Sequence, residues 1–142
     1  MLLSYFELQI PIRLRISIVI VNYNSWTDVL NQVQRIIASP SFLNHQAEVV
    51  VVDNNSSQPA PTVRPLTNHL IWADLKTNGG FSAGVNEGVR RSKGDWILVL
   101  NPDAELQQNT IDQVVGMADD YDTFNRKNSE HKIGIAGVRL TN

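Results

Sequence analysis

Two nearly unbroken β-branched runs, residues 16–23 (ISIVIVNY) and 47–52 (AEVVVV), constrain this chain more than any other feature. A strand with one wet face alternates apolar and polar residues. A run without alternation suits a strand buried on both faces, the signature of a parallel sheet covered by helices. Residues 96–100 (WILVL) repeat the pattern, residues 70–75 read as a shorter strand, and residues 133–140 (IGIAGVRL) are a last strand candidate. Between these runs the apolar positions recur at helical spacing. They are Trp26, Val29, Leu30, Val33, Ile36 and Ile37, then Phe81, Val85 and Val89, then Ile111, Val114, Val115 and Ala118.

Local signals place the ends of these elements. Ser25 with Asp28 three residues later reads as a capping-box-like helix start. Ser39-Pro40 is a stop signal for the first helix. Gly94 is placed to cap the C-terminus of the second helix, which runs from about 81 to 91. The third helix covers about 110–121, and residues 122–132 read as a polar loop. Pro59, Pro61 and Pro65 make residues 58–65 a loop or a broken helix. The order β-α-β-β-α-β-α-β predicts an α/β fold, a Rossmann-like, mostly parallel sheet with helices on both faces.

Composition excludes several alternatives. The 142 residues are about one domain's worth. With 42% hydrophobic and 18% charged residues, the chain is neither disordered nor a charged tail. A net charge of −2 lacks the basic footprint of a nucleic-acid binder. The absence of cysteine excludes disulfides, thiolate metal sites and thiol catalysis. No stretch reaches the length of a transmembrane helix. Residues 1–15 read as an N-terminal extension or an extra edge strand, with a short membrane-surface anchor as the alternative. The expected location is cytoplasmic, with a peripheral position at the inner membrane face as a variant.

In an open α/β sheet, ligands bind outside the carboxyl ends of the strands. Four strand-end turns are therefore the places to look, and all are rich in Asn, Asp, Ser or Gly: residues 22–25, 53–57, 78–81 and 101–105. Asp53 could accept a hydrogen bond from a nucleobase or a ribose, although Asp-Asn-Asn-Ser-Ser also makes turns and caps. Asn78-Gly79-Gly80 opens a helix whose backbone N–H groups suit phosphate, and simple turn chemistry explains the same residues. Gly79 and Gly84 have phosphate-loop spacing, but Val85-Asn86 follow where Lys and Ser or Thr are required. Asp103 and Glu105 could reach one divalent cation together with diphosphate oxygens; acids at a helix start are the alternative, which fits Glu105 better than Asp103. His45, His69 and His131 are scattered and are expected at the surface. Ser56 and Ser57 lack a hydrolase motif. Arg90-Arg91 reads as a solvated helix flank.

Taken together, four segments in this order resemble the family 2 glycosyltransferases with the GT-A nucleotide-sugar fold, and within them the rhamnosyltransferase-like branch. They are residues 18–24 (IVIVNYN), 51–57 (VVDNNSS), 78–88 (NGGFSAGVNEG) and 98–106 (LVLNPDAEL); residues 134–140 (GIAGVRL) look like the family's following strand. The resemblance implies a GT-A-type donor-binding domain over residues 16–142, incomplete, behind the extension at 1–15. It implies that Asn22 and Tyr23 line a base pocket and that Asp53 bonds a uracil or thymine ring. Asn78, Gly79, Gly80 and Asn86 would lie along ribose and diphosphate, with Asn101 at the same site. Asp103 would take the metal position of an Asp-x-Asp motif that here reads Asn101-Pro102-Asp103.

The implied donor is a UDP- or dTDP-sugar and the implied cofactor Mg²⁺ or Mn²⁺. The implied reaction is inverting transfer to the hydroxyl of a saccharide or lipid-linked acceptor in cell-surface polysaccharide synthesis. The family's general base lies further along the chain than Asn142, so no catalytic residue is assigned and the isolated chain is expected to lack its base. A noncatalytic nucleotide-sugar-binding module is the alternative. An uncovered sheet edge predicts a homodimer.

Overall fold

A computed structural model describes residues 13–107, 109–128 and 130. Its elements run β1 (Ile16–Asn22), α1 (Trp26–Ile37), α2 (Pro40–Leu43), β2 (Ala47–Asp53), β3 (Leu70–Asp74), α3 (Phe81–Arg91), β4 (Trp96–Leu100) and α4 (Thr110–Lys127). The four strands form one sheet in the order β3-β2-β1-β4. Every pairing is parallel. The strand candidate at 133–140 lies outside the described residues, as does most of the 1–15 extension.

The unalternating runs behave as their composition demands. Every residue of β1 and β2 is buried, because apolar side chains leave the sheet in both directions. On one face Ile16, Ile18, Ile20, Val49 and Val51 pack with Val29, Val33 and Ile36 of α1 and Ile111, Val115 and Ala118 of α4. On the other, Val19, Val21, Val50 and Val52 form a smaller core with Val85 of α3. Each fully buried Val or Ile contributes about 1.5–3 kcal/mol.

Helix α3 reaches that second face closely because Gly84 and Gly88, one turn apart, face the sheet. A Cβ on Gly84 would lie 2.6 Å from Val21 Cγ1, and one on Gly88 2.3 Å from Val19 Cγ1. The phosphate-loop spacing of Gly79 and Gly84 is thus half a packing feature.

Several local expectations are corrected. The Ser25 side chain does not cap α1; its backbone N–H is instead received by Asn22 Oδ1 at 3.0 Å. Pro40, beyond stopping α1, starts the short α2, where Ser39 Oγ accepts from Phe42 N–H at 3.3 Å. Helix α3 is capped by Ser92 rather than Gly94. Gly94 lies so close to β1 that a Cβ would meet the Ile16 backbone at 2.6 Å. Helix α4 continues through Lys127, across residues expected as loop. Tertiary contacts hold that extra stretch: Tyr121 packs on Trp96 with ring centroids 5.7 Å apart, and Asp122 binds Arg15.

Strand β4 is not buried on both faces either. Trp96, Leu98 and Leu100 join the first core, whereas Ile97 and Val99 are exposed. Among the described residues the strand lies at the sheet edge, and α3 packs mainly on β1 and β2.

Candidate functional site

Parallel pairing brings the carboxyl ends of all four strands to one edge of the sheet. The first three strand-end turns are stitched together by side chains. Asn22 is fully buried. It donates from Nδ2 to Asp53 Oδ1 at 2.7 Å and to Ser56 Oγ at 3.1 Å. Asp53 also accepts from Ser56 Oγ at 2.5 Å and, through Oδ2, from Ser56 N–H at 3.1 Å. Ser56 Oγ in turn accepts from Asn24 N–H at 2.8 Å. Asn24 and Asn55 have positive φ, 57° and 58°, a conformation that asparagine tolerates better than most residues.

A second relay continues toward α3. Asn54 donates from Nδ2 to Asn78 Oδ1 at 2.9 Å and accepts from Gly79 N–H at 3.1 Å. Asn78 Oδ1 also receives Gly80 N–H at 2.9 Å. Gly80 sits at φ 83° as the N-cap of α3 and brings no capping side chain. The first-turn N–H groups of α3 are thereby left without a side-chain acceptor, as an anion site requires.

The expected site residues separate by what they face. Asn22 is enclosed, with both ends of its amide engaged, so it supports the turns rather than lining a pocket. Tyr23 is half exposed. Asp53, 9% exposed, keeps a free lone pair on Oδ2 beside its three bonds. Asn78, Gly79 and Gly80 are exposed at the start of α3. Asn86 is exposed two residues from both sheet-facing glycines, hence on the outward side of α3. Asn101, Asp103 and Glu105 are exposed after β4, and no described residue hydrogen-bonds to either carboxylate.

Among the described residues no three His, Cys, Asp or Glu side chains gather as a metal site. One or two open carboxylates are what Mg²⁺ or Mn²⁺ takes when substrate phosphate and water complete the shell, so Asp103 with Glu105 fits such an ion.

Other residues carried little or no sequence signal. The guanidinium of Arg64 lies 5.0 Å from the Trp26 ring centroid and 5.2 Å from that of Trp72. It also pairs with Asp74 at 2.9 Å. The two indoles donate to the carbonyls of Gln58 and Pro65, so the proline-bearing crossover from β2 to β3 is pinned rather than loose. His45 and His69 are not scattered: their rings meet at a 48° tilt with centroids 4.7 Å apart. His131 lies outside the described residues. Arg91 bonds Glu87 at 2.6 Å, and Arg90 pairs with the same carboxylate.

At the opposite end of the sheet, Arg15 binds Asp95, Asp119 and Asp122 at 2.6, 2.8 and 2.5 Å. Burial alone would lower its pKa, but hydrogen bonds to Asp122 and Asp119 raise it. The Arg15 hydrogen bond, with that from Trp96, holds the Asp122 carboxyl below its usual value against the effect of burial.

A family model described as "Glycosyl transferase family 2" matches residues 17–126, which include the whole of the stitched edge and all four strands except Ile16. The chain belongs to glycosyl transferase family 2. This family 2 chain is 38% identical over 102 residues to the low-salt glycan biosynthesis hexosyltransferase Agl10 of Haloferax volcanii, covering 68% of this chain and 30% of that protein. It is 27% identical over 109 residues to an undecaprenyl-phosphate 4-deoxy-4-formamido-L-arabinose transferase of Pseudomonas savastanoi pv. phaseolicola, covering 73% and 32%. The fold matches the crystal structure of S. aureus TarS 1-349 in complex with UDP-GlcNAc, with a TM-score of 0.62, 20% identity, and 76% and 32% of the two chains covered. The fold is thus the GT-A type. The chain spans about a third of the length of these relatives. No described helix is long and apolar enough to cross a membrane.

Proposed function

We propose that this chain is the donor-binding part of a glycosyltransferase that takes a UDP- or dTDP-sugar and passes the sugar, with inversion, to the hydroxyl of a saccharide or lipid-linked acceptor in cell-surface polysaccharide synthesis. The observation that carries this reading is the stitched edge. Asp53 sits there with a free lone pair, beside the uncapped start of α3 and opposite the open carboxylates of the β4 turn. The name of one relative, a hexosyltransferase, supports sugar transfer, and that of another, an undecaprenyl-phosphate sugar transferase, supports a lipid-linked acceptor. The four matching segments support the rhamnosyltransferase-like branch.

In this reading Asp53 accepts the ring N–H of uracil or thymine, against which Tyr23 packs. The N–H groups at the start of α3 receive phosphate oxygens. Asp103, with Glu105, would hold Mg²⁺ or Mn²⁺. When bound, such an ion neutralises the charge developing on the diphosphate leaving group. The chain's own residues fix where the donor lies and leave the acceptor side to the rest of a longer enzyme. Among the described residues no strand pairs with the outer edge of β4, and Ile97 and Val99 are exposed, which supports pairing of the isolated chain with itself. A monomer in gel filtration at high concentration overturns that pairing.

Calorimetric titration with UDP, dTDP and ADP, each with and without Mn²⁺, tests the donor site. Uridine or thymidine preference with Mn²⁺ enhancement is expected; equal affinity for ADP overturns the reading. Sugar transfer by the chain alone would exclude a purely binding module.

A further inference from the structure

We infer that Gln32 of α1 is a positioning residue for the strip that carries Asp103. This rests on the function proposed above and adds to it a residue outside the strand-end turns.

Residues 101–107 alternate in exposure. Asn101, Asp103, Glu105 and Gln107 are exposed, whereas Pro102, Ala104 and Leu106 are half-buried. Residues 102 and 103 form a tight turn, closed by Ala104 N–H donating to the Asn101 carbonyl at 3.1 Å, so Asp103 sits in the turn and Glu105 just beyond it. Ala104 and Leu106 pack inward against the main core.

Two side chains from α1 hold that conformation. Gln32 donates from Nε2 to the Ala104 carbonyl. Arg35, three residues on and on the same helix face, donates from Nη1 to the Leu106 carbonyl at 3.5 Å. One face of α1 thus engages the carbonyl at the end of the turn and the carbonyl two residues beyond it. The clip holds the end of the turn that carries the exposed Asp103.

Gln32 is a poor choice for stability alone. It is 3% exposed on the apolar stripe of α1, between Val29 and Ile36. Its Oε1 is buried without a hydrogen-bond partner. Only the donor half of the amide is used, since a carbonyl can only accept. Methionine or leucine would fill the position without stranding an oxygen. What the amide adds is its N–H bond to the Ala104 carbonyl.

The test compares Gln32→Met, Gln32→Glu and Asp103→Ala with the parent chain. Mn²⁺ is titrated in the presence of UDP and free Mn²⁺ is read by electron paramagnetic resonance. Metal-free UDP affinity and Tm are measured beside it. Gln32→Met should weaken Mn²⁺ binding by about tenfold, the usual effect of removing a residue that orients a metal ligand. Gln32→Glu should weaken it more, because a carboxylate faces the Ala104 carbonyl. Metal-free UDP affinity should stay unchanged, and the Tm of Gln32→Met should equal or exceed the parent's.

Parent-like Mn²⁺ affinity in Gln32→Met, with Asp103→Ala impaired, overturns the inference alone. So does a joint loss of Tm and metal-free UDP affinity, which a merely structural role would give. Full Mn²⁺ affinity in Asp103→Ala, or no Mn²⁺ binding by the parent chain with UDP, overturns the site reading and the inference together.

Discussion

Asp53 ends a strand and Asp103 follows one, yet the fold uses the two carboxylates oppositely. Asp53 accepts three hydrogen bonds that join two turns; no described residue bonds Asp103. In Asp53→Asn, whichever way the new amide turns, an N–H faces another donor. The variant should lose about 1–3 kcal/mol of stability in urea denaturation and bind UDP more weakly by calorimetry. Asp103→Ala should leave stability within about 0.5 kcal/mol of the parent while abolishing the Mn²⁺ enhancement of UDP binding. A metal-independent Asp53 defect beside a stability-neutral Asp103 defect is the pattern expected of a base-side and a phosphate-side carboxylate.

At the scale of the element, α3 and α4 each carry a mid-helix glycine with opposite consequences. Gly88→Ala gains helix propensity but drives a Cβ to 2.3 Å from Val19 Cγ1; overpacking of this kind costs about 1–3 kcal/mol. Gly116 of α4 is exposed, with nothing within 4 Å of an added Cβ. Gly116→Ala should stabilise by about 0.5–1 kcal/mol. Thermal denaturation of both variants checks the signs. Strands and helices were largely legible in the chain because burial on two faces and helical spacing leave different patterns. Three features were not. An apolar run such as WILVL reads the same whether one face or both are covered, so the exposure of Ile97 and Val99 was hidden. The polar end of α4 reads as loop until Arg15, far away in sequence, pairs with Asp119 and Asp122. The four turns were visible through their Asn, Asp, Ser and Gly content, but the enclosure of Asn22 depends on partners more than thirty residues distant. Gln32 did leave a trace, a polar residue on an apolar stripe.

Across the whole molecule, the Arg15 cluster ties the start of β1 to Asp95 beside β4 and to α4. Asp122 has its folded pKa lowered by Arg15 and Trp96, so its contribution is present above the unfolded value and is lost as pH falls through the folded one. The Tm should hold from pH 7 to about 5 and decline below about 4, near the ordinary carboxylate value. Asp122→Asn should lower the Tm at pH 7 and flatten that acid decline. The sheet itself is unevenly protected. Asp53 ends a strand sealed on both faces, and Asp103 follows a strand that, among the described residues, lies at the sheet edge with one side wet. Heat therefore reaches the two halves of the proposed site in sequence. As the chain is warmed, sensitivity of UDP binding to Mn²⁺ should fade first, while UDP is still held. The edge strand then acts as a thermal fuse for the cation response, and it fails before the nucleotide grip does.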